Sequence, residues 1–247
     1  VSWDKAKKFR RAFNKVFPDK LYYINLLQNY APSWAITNGA SREDDLPSDD
    51  DYDFYCKSYV RQADPPLFCY DFYPFREEYP RVKKEYFPQL ETALKYASEK
   101  DIPIWCFLQS ASFPEMSGFA RTPTYEEMLW QANTSLCYGT KGLAYFCYWM
   151  PYDDENWNNS FVDVRGNKTQ TYFNAKRLNE YLSLVGAHFT KSKVCKVFGP
   201  NNVIEIVPFT GVESVSHNAV ASCLTDGGNK YMFCVNKSFE KEACVTV

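Results

Sequence analysis

Residues 67–75 read LFCYDFYPF, and residues 102–110 read IPIWCFLQS. Both are apolar runs of strand length that finish on polar groups, Asp71 in the first and Gln109 in the second. Working outward, residues 21–30 (LYYINLLQNY) and 142–151 (GLAYFCYWMP) follow the same pattern. Asn25 and Asn29 mark the end of one, Tyr148 and Trp149 the end of the other. Strands buried on both faces of a parallel sheet read as near-continuous apolar runs. In barrels, ligand sites lie at the C-terminal ends of such strands.

Amphipathic helices alternate with these runs. Trp3, Ala6, Phe9, Phe13, Val16 and Phe17 recur at helical spacing over residues 2–17. Further helices are expected near residues 50–63, 87–100, 124–138 and 171–187. Thr124 followed three residues later by Glu127 is a capping-box start, and Gly139 is placed to end that helix. The connections entering the strands are short, and those leaving them are long and polar. Barrels show that asymmetry, with functional loops on one side. The expected fold is therefore α/β, the C-terminal half of a (β/α)8 barrel with four βα units, over residues 1–190. After His188 short β-rich runs are separated by Gly, Asn and Asp turns. Residues 191–247 are expected to form a small antiparallel β domain, cut short at Val247. The abrupt start at Val1, with no initiating Met and no secretion signal, is read as a fragment boundary.

Composition narrows the partners. The net charge is −2 and no basic stripe stands out, so neither nucleic acid nor a membrane is an expected partner. No run reaches the roughly 18 apolar residues of a membrane span. The nine cysteines contain no Cys-x-x-Cys pair. Three of them, Cys69, Cys106 and Cys147, lie inside apolar strands as small hydrophobes. That usage fits a reducing compartment, and a cytoplasmic location is expected. A half barrel alone leaves two strand edges open. The expected partner is the upstream half of the same protein or a second copy in a homo-oligomer.

Several chemistries are excluded. There is no Gly-x-Ser-x-Gly elbow, no phosphate loop and no Gly-x-Gly-x-x-Gly. The two histidines, His188 and His217, fall at or beyond the last barrel helix. A His-based metal centre or triad is not expected, and no cofactor is implied. What remains at the strand ends is carboxylates, amides and aromatic rings. That set suits an oligosaccharide or glycoside ligand, with carboxyl groups flanking a scissile bond and flat rings stacking on a sugar. Asp71 is the candidate catalytic residue, because an unpaired carboxylate in an apolar strand is costly. A structural ion pair with Arg76 or Arg121 is the alternative.

The candidate substrate-binding residues are Asn25, Tyr73, Gln109, Arg121, Tyr148, Trp149 and Asp153. Asn25 would orient a ligand or pack between barrel layers. Gln109 would bond a sugar hydroxyl or tie down a neighbouring loop. Tyr148 and Trp149 would form a stacking floor or pack in the core. Arg121 stands just before a helix N-terminus, where a cation gains nothing from the dipole. That favours a place at the mouth, paired with Asp71. Asp153 sits with Asp154, Glu155 and Trp157 in the loop after the last strand, where acidic clusters are mostly just solvated.

The motifs YINLLQNY, CYDFYPF, PIWCFLQS and GFARTPTYEEMLWQANTSLCYGTKGLAYFCYW, spread over residues 21–149, resemble the C-terminal half of a clan A glycoside hydrolase barrel. The resemblance is to the family-42 β-galactosidase-like proteins of gut bacteria. The tail with NKYMFCVNKS resembles the β-sandwich that often follows such barrels. The resemblance implies an acid/base Glu closing the fourth barrel strand and a nucleophile Glu closing the seventh. With strands five to eight present, the first of these lies upstream of Val1. The second position holds Gln109, which can neither form a glycosyl ester nor act as a base. The expected function is a glycoside hydrolase-like protein, catalytically incomplete in this fragment, in which Asp71, or more weakly Glu115, serves instead. The alternative is a carbohydrate-binding or scaffold protein that binds glycans without cleaving them.

Overall fold

The computed structural model describes residues 2–31, 35–36, 51–78, 82–115, 118–151 and 157–247. Helix α1 (Trp3–Val16) leads into strand β1 (Asn25–Leu26). Helix α2 (Asp51–Ser58) is prolonged by a π-helical turn, Tyr59–Ala63, and leads into β2 (Phe68–Asp71). Helix α3 (Tyr86–Lys100) leads into β3 (Ile104–Gln109). A small hairpin, β4 (Phe113–Glu115) with β5 (Gly118–Ala120), precedes α4 (Tyr125–Cys137) and β6 (Thr140–Phe146). Helix α5 (Gln170–Lys191) then opens a run of β7 (Lys193–Phe198), β8 (Val203–Glu205), β9 (Ala219–Thr225) and β10 (Lys230–Asn236).

The chain is thus a mixed α/β protein with a parallel sheet and a separate antiparallel sheet. The parallel sheet has the order β1-β2-β3-β6, and the antiparallel sheet the order β10-β9-β7-β8. In β2, Phe68, Cys69 and Tyr70 are all fully buried. Side chains on both faces of that strand therefore contribute, at roughly 1.5–3 kcal/mol for each large apolar group. Among the described residues β1 pairs only with β2, and β6 only with β3, so both outer edges are open. Many of the abundant aromatic residues go into the core. Tyr59, Phe68, Tyr70, Phe72, Tyr86 and Trp130 belong to one apolar cluster, together with Val197, Val220 and Val235 of the antiparallel sheet.

Local signals explain the element ends. Thr124 Oγ1 accepts from the Glu127 amide at 3.3 Å, while Glu127 accepts from the Thr124 amide at 2.8 Å, which closes the capping box. Gly139 follows α4 at φ +85°, a left-handed position that favours glycine. Gly142 is required in β6 because the Trp105 indole of β3 lies only 2.5 Å from where a Cβ would stand. The strands are shorter than the apolar runs that announce them. In residues 21–30 only Asn25 and Leu26 find ladder partners, Cys69 and Tyr70. The preceding rings pack instead, Tyr22 on Phe13 at 5.5 Å and Tyr23 on Trp105 at 6.0 Å. Likewise β6 stops at Phe146 because its neighbour β3 ends opposite, at Gln109. The final run 243–247 forms no strand. Where a sandwich was expected, the described residues form one four-stranded layer. Its inner face lies on the helices, with Trp130 Nε1 donating to Asn236 O at 3.0 Å and Phe189 edge-on to Phe233 at 4.8 Å.

One joint between the layers is incompletely bonded. Glu91 of α3 accepts from Asn202 Nδ2 at 3.1 Å through Oε2. Its Oε1, and the hydroxyl of buried Tyr138, have no hydrogen-bond partner among the described residues. Both atoms crowd the space that a side chain at Gly199 would fill. Burial raises the Glu91 pKa, and the Asn202 bond only partly offsets this. A raised folded-state pKa contributes stability that is complete below the ordinary glutamate range and lost as pH rises through the folded value. Glu91→Gln keeps the acceptor for Asn202 and adds an N–H for the Tyr138 oxygen. At pH 7 it is expected to stabilise the fold by about 0.5–1 kcal/mol. The gain should vanish below about pH 4. Urea unfolding of both proteins across that range checks this.

Candidate functional site

At the C-terminal end of the parallel sheet, a carboxylate closes a strand that is otherwise buried. Donors from the neighbouring segment meet it. Asn25 Nδ2 donates to Asp71 Oδ1 at 2.8 Å, and Gln28 Nε2 donates to Oδ2. The Tyr73 hydroxyl, two residues beyond Asp71, bonds it as well. Asn25 is itself oriented by the Cys69 thiol, 3.5 Å from its Oδ1. Burial raises the Asp71 pKa, and the Asn25, Tyr73 and Gln28 donors pull it back toward the ordinary range. Burial and the adjacent Asp71 charge push the Tyr73 phenol far up, so it stays a donor. A carboxylate has about four lone-pair directions. Asn25, Gln28, Tyr73 and the backbone amide of Asp71 itself together meet that number.

A second carboxylate lies nearby. Glu115, at the end of β4, accepts from the Tyr30 hydroxyl at 2.8 Å and from Lys83 Nζ. The Lys83 ammonium is almost wholly buried and sits 3.6 Å from the centre of the Tyr30 ring. Burial lowers its pKa, and the Glu115 partner counters the drop. Tyr30 is raised by burial, then by Glu115 and more weakly by Asp71, so it borders both acids. The Lys83–Glu115 pair is neutral as a unit, and the Tyr30 face is covered by Lys83. Neither is open to a sugar.

Aromatic rings complete the mouth. Tyr73 is edge-on to Phe113 at 4.9 Å and lies 5.3 Å from Phe146. Phe113 stacks on Trp157 at 5.3 Å with 23° between the planes. Among the described residues no cluster of His, Cys, Asp and Glu could hold a metal ion. No helix among them is long and apolar enough to cross a membrane.

The structure gathers Asn25, Asp71 and Tyr73 in this cluster and places the other candidates elsewhere. Gln109 is fully buried. Its Oε1 accepts from Phe75 N at 2.9 Å, and its Nε2 donates to Phe75 O at 3.1 Å and to Arg121 O. Those are loop-tying bonds. The expected Arg121–Asp71 pair does not form. Arg121 grips Glu127, with Nη1 2.8 Å from Oε2, and donates to Arg76 O at 2.9 Å. The capping box already fixes Glu127 within reach, and Arg121 offsets its buried charge. Tyr148 and Trp149 are exposed beyond the end of β6. The core-packing alternative therefore does not describe them, and they lie outside the Asp71 cluster. Asp153 lies outside the described residues. Gln28, Tyr30 and Lys83 are the participants that sequence reasoning missed. Gln28 sits three residues after Asn25, a spacing that could have flagged it. Lys83 lies in a charged loop and carries no such signal.

No protein-family model matches the chain, and no curated protein matches it. Among solved structures it is similar to a β-galactosidase from the psychrophilic Marinomonas ef1, at 11% identity and a TM-score of 0.38. The match covers 51% of this chain and 21% of that enzyme. The chain thus matches about a fifth of that protein's length, and a likeness this low carries no argument about chemistry.

The bonding of Gln109 generates a test. Gln109→Glu would set a carboxylate against two carbonyl oxygens in a dry site. It is expected to destabilise the fold by about 3 kcal/mol or more at pH 7. The loss should shrink as pH falls and the new carboxyl protonates. Chemical denaturation at pH 7 and pH 5 measures both.

Proposed function

We propose that this chain is a carbohydrate-binding region with a glycoside-hydrolase-like architecture, and that it holds its ligand without cleaving it. The parallel sheet would be strands five to eight of a (β/α)8 barrel, over residues 1–190, followed by a β domain at 191–247. Support for the barrel reading comes from the helix before every parallel strand and from the two open edges. The upstream half of the same protein, or a second copy, would cover those edges. The ligand would be an oligosaccharide or glycoside.

One observation carries the binding reading. Asp71 is held by Asn25, Gln28 and Tyr73 as a fixed acceptor at the strand ends, beside the rings of Tyr73, Phe113, Phe146 and Trp157. A nucleophile or base needs a carboxylate oxygen directed at the reacting atom. Here each oxygen of both nearby acids already accepts from a protein donor. The hydrolase reading keeps one supporting observation, the raised Asp71 pKa, which suits a general acid. An inverting reaction would place its partner carboxyl roughly 6.5–9.5 Å away.

Titration calorimetry with methyl hexopyranosides is the test, alongside 4-nitrophenyl glycosides as hydrolysis probes. Asp71→Asn and Asn25→Ala are expected to weaken binding roughly tenfold or more, at about 1.5–3 kcal/mol for a hydrogen bond to a charged group. Circular dichroism should show both variants folded. No nitrophenol release is expected. Turnover that Asp71→Asn abolishes would establish the hydrolase reading instead.

A further inference from the structure

A cleft lies apart from the Asp71 cluster, on the flank where β6 ends. It is an open groove of about 420 Å³ between the loop after β6 and one face of α5. Tyr148 and Phe161 form one wall, and Tyr172, Lys176, Asn179 and Ser183 line the other on successive turns of α5. Those four residues recur at three- and four-residue intervals, so they share a helix face. Buried Ala175 gives the cleft its depth.

The chemistry of the walls selects the ligand. Tyr148 is 61% exposed and rests edge-on against Phe161 at 6.2 Å, so a face of its ring is open to solvent. Asn179 spends its carbonyl on the Tyr145 hydroxyl at 2.7 Å, which leaves its two N–H groups as donors. Ser183 donates to Asn179 O at 2.7 Å, which leaves its oxygen as an acceptor. Lys176 and Glu180 add one charge of each sign, and the lining is neutral as a set. Such a lining offers no excess charge to a phosphate, sulfate or nucleotide. A ligand with one C–H face and several hydroxyl groups matches a ring wall opposed by mixed donors and acceptors. A volume of this size admits one or two sugar rings.

We propose that the cleft between Tyr148 and the Lys176–Ser183 face of α5 is a second binding site for a neutral pyranoside. It rests on the carbohydrate reading above for its ligand class, and is independent of Asp71. Its location at the open β6 edge gives the competing outcome, that further polypeptide covers this face rather than a sugar.

The experiment is saturation-transfer NMR and calorimetry of the full chain with methyl hexopyranosides, with inorganic phosphate as the control. Tyr148→Ala removes the open ring, and Ser183→Trp fills the cleft from an exposed position. Each is expected to weaken one binding step at least about tenfold while Asp71→Asn leaves that step in place, and phosphate should show no transfer. Binding lost in Asp71→Asn but unchanged in both cleft variants overturns this proposal and leaves the Asp71 reading standing. Binding lost in the cleft variants alone supports this site and overturns the Asp71 reading. If no pyranoside binds, both readings fall. If Ser183→Trp changes only the oligomeric state on sedimentation, the cleft is a polypeptide contact and the proposal is wrong.

Discussion

Backbone amides and carbonyls just past the strand ends are buried, and each must find a partner. Three glutamines meet that need, and the mouth of the sheet depends on them. Gln89 of α3 accepts from Asn29 N at 2.9 Å and donates to the Tyr52 hydroxyl at 2.6 Å. Gln131 of α4 accepts from Gln109 N at 3.0 Å and donates to Phe72 O at 2.9 Å. Gln109 itself ties Phe75 to Arg121. Neutral amides suit this work because each supplies a donor and an acceptor without the cost of a buried charge. Together they fix the segments that carry Asn29, Phe72 and Phe75, and so the positions of Gln28, Tyr30, Asp71 and Tyr73 between them.

Charge at the mouth is arranged on that frame. Lys83 and Glu115 cancel one another in a nearly dry setting, with Tyr30 completing the acceptor side. Breaking such a pair is far more costly than the pair is favourable, which makes it a structural fixture. Among the described residues Asp71 has no cationic partner of that kind and is met by neutral donors alone. It is therefore the acid at this mouth that no described cation offsets. On the proposed function, the distinction between an acid offset by a cation and one held by neutral donors separates framework from recognition.

Much of the fold was legible in the sequence because periodicity and end signals are local. The alternation of apolar runs with helices, the Thr124–Glu127 box and the Gly139 terminus all reappear in the structure. Strand lengths were not legible, since a run of apolar residues is written the same way whether it pairs in a ladder or packs as loose rings. Tyr22 and Tyr23 do the latter. The site was half legible. An Asp inside an apolar strand announces itself, and Asn25 and Tyr73 stand close enough to be gathered with it. Gln109 was ambiguous, because a polar strand-end residue looks the same whether it faces a ligand or a stranded carbonyl. The sequence points Arg121 toward Asp71 because Glu127, its partner in the fold, also has a complete role as the capping-box residue of α4. The Lys83–Glu115 pair joins residues 32 apart and leaves no local trace.

The central claim of the proposal is that Asp71, held by Asn25, Gln28 and Tyr73, meets the ligand while the buried glutamines only hold the frame. Side-chain amide resonances of Asn25, Gln28 and Gln109, followed by 15N NMR during titration with methyl hexopyranosides, test this directly. The account predicts that the Asn25 and Gln28 signals move together with ligand while the Gln109 signal stays fixed. Movement of Gln109 with Asn25 and Gln28 unmoved would contradict it.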